Sequence, residues 1–169
     1  MPIKLKIQGQ SVEVDERFAQ VSNFLKEAWQ PGSNEELPLL ESQVTLEAFK
    51  TLEEYYKFNN FEPRVIDAIT NDPNTCFLNE HDRELIMKVK VFEGNQLKEL
   101  LEAAKYLQTS AFKKLCLARI AFEFHVDKQE PNKSFGELKK KFNLTNTALT
   151  LGDVERFKSD YPTIVNKYN

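Results

Sequence analysis

The chain opens with alternation. Ile3, Leu5 and Ile7 are apolar and Lys4 and Lys6 are polar; Val12 and Val14 then alternate with Ser11, Glu13 and Asp15. Gln8-Gly9-Gln10 lies between the two runs, and Gly9 is free to take the positive φ of a short turn, so residues 3–15 predict a hairpin with one apolar face. The period then changes. Phe18, Val21, Phe24, Leu25 and Trp29 recur at helical spacing, which predicts two short helices, the second capped by Ser22 or Asn23 and the segment closed by Pro31-Gly32. Leu37-Pro38-Leu39-Leu40 reads as a short apolar strand whose proline places it at a sheet edge or a strand start. Leu46, Phe49, Leu52, Tyr56 and Phe58 predict a helix over Thr45–Asn59.

Residues 60–80 are less regular. Pro63 and Asn71-Asp72-Pro73-Asn74 read as loop, with one helical turn allowed at Val65, Ile66 and Ile69. In Glu84–Val91, Leu85, Ile86, Val89 and Phe92 suit a helix, while Val89-Lys90-Val91 also suits a strand; helix is the favoured reading. Leu97, Leu100, Leu101, Ala104 and Leu107 fall on one helical face, and Thr109 or Ser110 caps the helix that follows.

That next helix differs from the rest. At about 100° per residue, Leu117, Ile120 and Phe124 form one stripe, and Leu115 and Phe122 lie nearly opposite. Arg119 and Glu123 occupy the gap, and Lys113 intrudes on the first stripe. A helix that is apolar on two faces needs cover on both, and one cover is its own domain. The second stripe predicts a protein partner. Beyond it, residues 125–133 read as a polar linker. Ser134-Phe135-Gly136-Glu137 has the form of a capping box, with Phe135, Leu138 and Phe142 on one face and Lys139-Lys140-Lys141 complementing the helix C-terminus. A last amphipathic piece carries Leu151, Val154 and Phe157.

Composition changes little. With 169 residues, 41% hydrophobic and 29% charged, the chain is long enough for one domain with a core and an appendage. A net charge of -3 gives no electrostatic case for nucleic acid, and no apolar run approaches the roughly 18 residues of a membrane span. Met1-Pro2-Ile3-Lys4 lacks a signal-peptide core, and Cys76 and Cys116 do not form a CxxC pair. A reduced intracellular compartment, cytoplasmic or nuclear, is the expectation.

Candidate chemistry is sparse. His81 and His125 have no cysteine or carboxylate at metal-ligand spacing, and Cys116 sits between Leu115 and Leu117 as a buried structural thiol would. GxxxxGK[ST], GxGxxG and GxSxG are all missing from the sequence. The expectation is no catalytic residue, no metal and no cofactor.

Leu97–Leu107 reads LKELLEAAKYL, and Ser134–Asn146 reads SFGELKKKFNLTN. Together they resemble the Skp-type adaptor subunit of SCF (Skp–cullin–F-box) ubiquitin ligases, whose pattern runs L-x-E-L-I-L-A-A-N-Y-L and then T-P-E-E-I-R-K-T-F-N-I-x-N. IKLKIQGQSVEVD is similar to the family's opening strands, and LPLL with FKTLEEYY to its third strand and third helix. The likeness covers most of the chain except residues 60–82 and the last dozen, and KKFNLTN is its specific part.

The resemblance implies an α+β chain. A BTB/POZ domain with a small three-stranded sheet would span residues 1–124, with a variable loop at 60–82. A linker at 125–133 would lead to C-terminal helices over 134–169. By position it implies F-box contacts at Leu97, Leu101, Leu117, Ile120, Phe124, Leu138, Phe142 and Leu144. It implies cullin contacts at Lys105, Tyr106, Pro38 and Leu39. Lys105 stands where the family carries asparagine, which removes an amide acceptor and adds a charge. The family's terminal N-x-W is here Tyr161-Pro162-Thr163. The implied function is a non-catalytic bridge between an F-box substrate receptor and a cullin. The alternative is a structural subunit holding an F-box-like helix without a cullin. A homodimer through the empty groove is a further alternative for the free chain.

Overall fold

The computed structural model describes residues 2–63, 65–70, 77, 79–91, 94–125 and 129–142, apart from the side chains of residues 131, 132, 134 and 135. These form a mixed α/β structure with a three-stranded sheet and seven helices.

β1 (Ile3–Ile7) and β2 (Gln10–Val14) pair antiparallel, with Ile3 opposite Val14 and Ile7 opposite Gln10. Gln8 at φ 49° and Gly9 at φ 76° make the two-residue turn. A pair of positive φ angles matches the twist of the strands, and the absent Cβ makes Gly9 the easy occupant. The alternation sends Ile3, Leu5 and Ile7 into full burial and leaves Lys6 exposed. β3 (Leu37–Pro38) lies on the other side of β1 and runs parallel to it, giving the order β2-β1-β3. Its proline is at the sheet edge, where the missing N–H costs least.

α1 (Phe18–Val21) and α2 (Asn23–Ala28) meet at Ser22. The Ser22 Oγ accepts from the Leu25 N–H at 3.2 Å and donates to the Leu107 carbonyl at 2.6 Å. Phe18 is fully buried against Phe49, Tyr56 and Phe61, with ring centroids 5.6, 5.5 and 6.1 Å away.

α3 (Leu46–Phe58) is capped by Thr45, whose hydroxyl accepts from Ala48. The buried face is Ala48, Phe49, Leu52, Tyr55 and Tyr56. Phe58 departs from the expected stripe and is 56% exposed. It lies two residues past Tyr56, about 200° around the helix, and stacks outward on His81 at 3.5 Å. Residues 65–70 form no helical turn. Of Val65, Ile66 and Ile69 only Ile66 reaches the core, where its carbonyl accepts from Lys114 Nζ at 2.8 Å. With Val65 and Ile69 left outward, a helical turn there has nothing to pack against.

α4 (Glu80–Met87) begins four residues before the expected Glu84. Asn79 sets the start by accepting from the Asp82 N–H at 2.7 Å. Asp82 is buried and accepts from Asn59 and Asn79 at 3.0 and 2.8 Å. α5 (Gln96–Tyr106) and α6 (Ser110–Phe122) are joined by a tight turn in which Gln108 takes φ 55°. Thr109 holds the N-cap position of α6, but its hydroxyl donates back to Ala104 instead of capping.

The chain divides into two compact units, Met1–His125 and Val126–Asn169. In the second, α7 (Pro131–Lys141) starts four residues earlier than the capping box predicts, with Glu130 and not Ser134 at the N-cap position. Pro131 sits in the first turn, where its fixed φ starts a helix and its missing N–H is not needed. Ser134 is therefore inside the helix and is not its cap, and the expected 125–133 linker is cut short by it.

Candidate docking groove

α6 is built to be used twice. Ala111, Phe112, Leu115, Cys116 and Ala118 are buried in the first unit, and Tyr56 accepts from the Phe112 N–H at 3.4 Å. Leu117 and Ile120 lie on the other face and are half-buried. Phe124, just past the helix, is 46% exposed. The two-stripe reading of α6 is thus resolved into a covered face and an open one.

Arg119 corrects that reading in one respect. The wheel put it in a polar gap, yet it is only 7% exposed. Its Nε donates to the Val89 carbonyl at 3.2 Å, and its Nη1 pairs with Glu123 one turn on. Burial lowers the guanidinium pKa from its ordinary value. The latch fastens the C-terminal turn of α6 to the segment after α4. Sequence reading missed its role, although the i,i+4 spacing of Arg119 and Glu123 was a usable signal.

The open face of α6 and the adjacent face of α5 enclose a groove of about 600 Å³. Val91, Leu97, Leu101, Leu117 and Ile120 line it with apolar surface; Lys98, Glu102, Lys105 and Lys113 add charge. Lys98 and Glu102 pair at 3.8 Å. A second hollow of about 340 Å³ lies at the α5–α6 turn, and Lys105 and Lys113 line it as well. Along α5 the residues Leu97, Leu101 and Lys105 are four apart, and along α6 Lys113, Leu117 and Ile120 repeat the pattern in reverse. Both lysines therefore sit at the turn end of the groove.

Four of the eight expected F-box residues, Leu97, Leu101, Leu117 and Ile120, come together here. Leu97 is 5% exposed, so it serves as core as well as lining. Leu138 and Phe142 belong to the second unit and are half-buried. Leu144 lies outside the described residues. Of the cullin set, Lys105 and Pro38 are exposed. Tyr106 is half-buried, with its ring 4.8 Å from that of Phe24. Leu39 is 5% exposed and packs in the core, so it offers almost no contact surface: a short apolar strand edge reads the same in sequence whether its leucine points in or out. Val91, Lys98 and Glu102 were not anticipated as groove residues.

Another hollow, of about 580 Å³, lies along α1 and α2 beside Trp29. Its Arg17 is already bonded to Asp15 and Asn60. Among the described residues, groups suited to chemistry do not converge elsewhere. Cys116 is fully buried, and burial pushes its thiol pKa up to about 12. His81 Nδ1 lies 3.7 Å from Asp82 under the Phe58 ring, and His125 stacks on Phe122 at 6.1 Å. Among the described residues no three metal-ligating side chains group together, and no helix is long and apolar enough to cross a membrane.

No protein-family model matches the chain, and no curated protein sequence matches it.

Proposed function

We propose that this chain is a non-catalytic adaptor with a BTB/POZ-type first unit, joining an F-box substrate receptor to a cullin in a ubiquitin ligase of the SCF kind. The observation that carries the reading is the open face of α6. One side of this helix is spent on the core, while Leu117 and Ile120 line an apolar groove with Leu97 and Leu101. Its mechanism is positional: a rigid bridge holds a bound substrate near the ubiquitin-transfer machinery, in the cytoplasm or the nucleus. Leu138, Phe142 and Leu144 complete the grip on the receptor, by the resemblance of KKFNLTN to the family tail. By the same resemblance Tyr106 and Pro38 form the cullin side, and Lys105 stands between it and the groove, whose turn end it lines.

The test is titration of purified F-box domains into the full chain. Binding is expected, with loss on Leu117→Asp/Ile120→Asp and on Phe142→Asp/Leu144→Asp. Circular dichroism serves as the folding control. An unchanged affinity in both double variants would sink the reading.

Lys105 favours a second reading, in which the chain holds an F-box-like helix inside a larger assembly without a cullin. A cullin N-terminal domain separates the two. Saturable binding that disappears on Tyr106→Ala excludes the purely structural subunit, and no binding at all excludes the bridge.

A further inference from the structure

The groove has a polarity that the docking reading alone does not explain. The whole chain is acidic, with 26 carboxylates against 23 lysines and arginines. The groove reverses this balance, with three lysines to one glutamate. Lys98 is neutralised by Glu102. Among the described residues Lys105 and Lys113 have no ion pair, and both are exposed at the α5–α6 turn. Apolar residues extend from them along both helices toward Leu97 and Ile120. Eight residues of helix separate Leu97 from Lys105, a trough of roughly 12 Å at 1.5 Å per residue.

We infer that the groove takes an amphipathic partner helix whose end over the turn carries carboxylates, received by Lys105 and Lys113. This rests on the docking reading and adds the partner's chemistry to it. Two to three helical turns fill the trough. Apolar residues at i, i+3 or i+4 and i+7 meet Leu101, Leu117 and Ile120, and Asp or Glu at the turn end meets the lysines. A second copy of this chain is the poorer occupant. A two-fold interface sets these lysines either against their own copies or over the other copy's apolar end at Val91 and Ile120, and the groove's single glutamate is already paired with Lys98. The lysine pair also fixes direction, because a helix inserted the other way round would strand its acids against Val91 and Ile120.

Three synthetic helical peptides of about 14 residues test this. They share one leucine stripe and end in three Glu, three Gln or three Lys. Fluorescence anisotropy against the full chain reads their affinities at low and high salt. The Glu peptide is expected to bind tightest, with its advantage shrinking at high salt. Lys105→Glu/Lys113→Glu is expected to weaken it roughly tenfold and to invert the order of the Glu and Lys peptides. Equal binding of all three, no binding, or an acid preference that survives the lysine reversal overturns the inference. So does a stable dimer in sedimentation that dissociates on Leu117→Asp. A parallel F-box titration keeps the two ideas apart. F-box binding indifferent to the lysine reversal overturns the inference and spares the adaptor. Lysine-dependent binding of the Glu peptide without any F-box binding supports the inference and sinks the adaptor.

Discussion

Arg119→Met is expected to be among the most damaging single changes near the groove. The Arg119 side chain is 9% exposed, and the Glu123 side chain it pairs with is 6% exposed. Removing it takes a charge-assisted partner from a buried carboxylate and also strips the Val89 carbonyl of its donor at 3.2 Å. Breaking one side of a buried pair costs about 3–5 kcal/mol, because the other charge loses its opposite-sign neighbour. Against a total stability of about 5–15 kcal/mol, that is a large fraction. With a urea dependence of about 2 kcal/mol per molar, the unfolding midpoint of the first unit falls by roughly 2 M. Replacing both partners with apolar residues takes both charges out of the site together. Arg119→Met/Glu123→Leu is therefore expected to recover most of the loss, or all of it. Urea unfolding followed by circular dichroism reads both numbers. A midpoint shift below about 0.5 M for the single variant, or a double variant no better than the single one, would refute the reasoning.

Three further outcomes are expected. Ser22→Ala removes both the cap on Leu25 and the donor to Leu107, so a thermal melt should show a loss of about 1–3 kcal/mol; no shift would mean that neither bond matters. Gly9→Ala forces a Cβ onto φ 76° and should cost about 1 kcal/mol, with Gly9→Asn costing less; equal stability of all three in urea would count against the turn assignment. Burial pushes the Cys116 thiol and the Tyr56 hydroxyl up to about 12, and Tyr55 upward as well. The unfolded chain therefore loses these protons first, and their contribution is whole below about pH 9 and drains away as pH climbs toward 12, at up to about 1.4 kcal/mol per unit for each group. Urea midpoints that stay flat from pH 8 to 11, or a Cys116→Ala variant with the same slope, would contradict it.

Where local rules acted alone, the sequence was a sufficient guide. Strict alternation with Gly9 between the runs specified the hairpin, and Thr45 with the stripe behind it specified α3. It was less sufficient where two local signals competed or where a distant group decided. α7 carries two start signals, and Pro131 prevails over the Ser134 box because it comes first and asks nothing of its neighbours. Val65, Ile66 and Ile69 are equally apolar, but one lysine on α6 holds only the Ile66 carbonyl. The burial of Arg119 depends on a carbonyl thirty residues away in sequence, which no helical wheel contains. The groove falls between these cases. The line from Leu97 to Lys105 is visible in the spacing, and so is the line from Lys113 to Ile120. Their convergence on one turn required the antiparallel pairing of α5 and α6.

That convergence bears on how a free chain tolerates an open apolar trough. A lysine stem is four methylenes long and lies readily over a neighbouring apolar surface while its ammonium stays in water. Lys105 is one turn from Leu101, and Lys113 is one turn from Leu117. Each stem is within reach of the leucine it would shield in the unoccupied protein, and each charge discourages a second copy from settling there. An arriving acidic helix would displace the stems from the leucines and draw the ammonium groups to its own carboxylates. The same two residues then oppose self-association in the free state and select the partner in the bound one. A neutral pair at these positions would leave the trough equally apolar and far less discriminating.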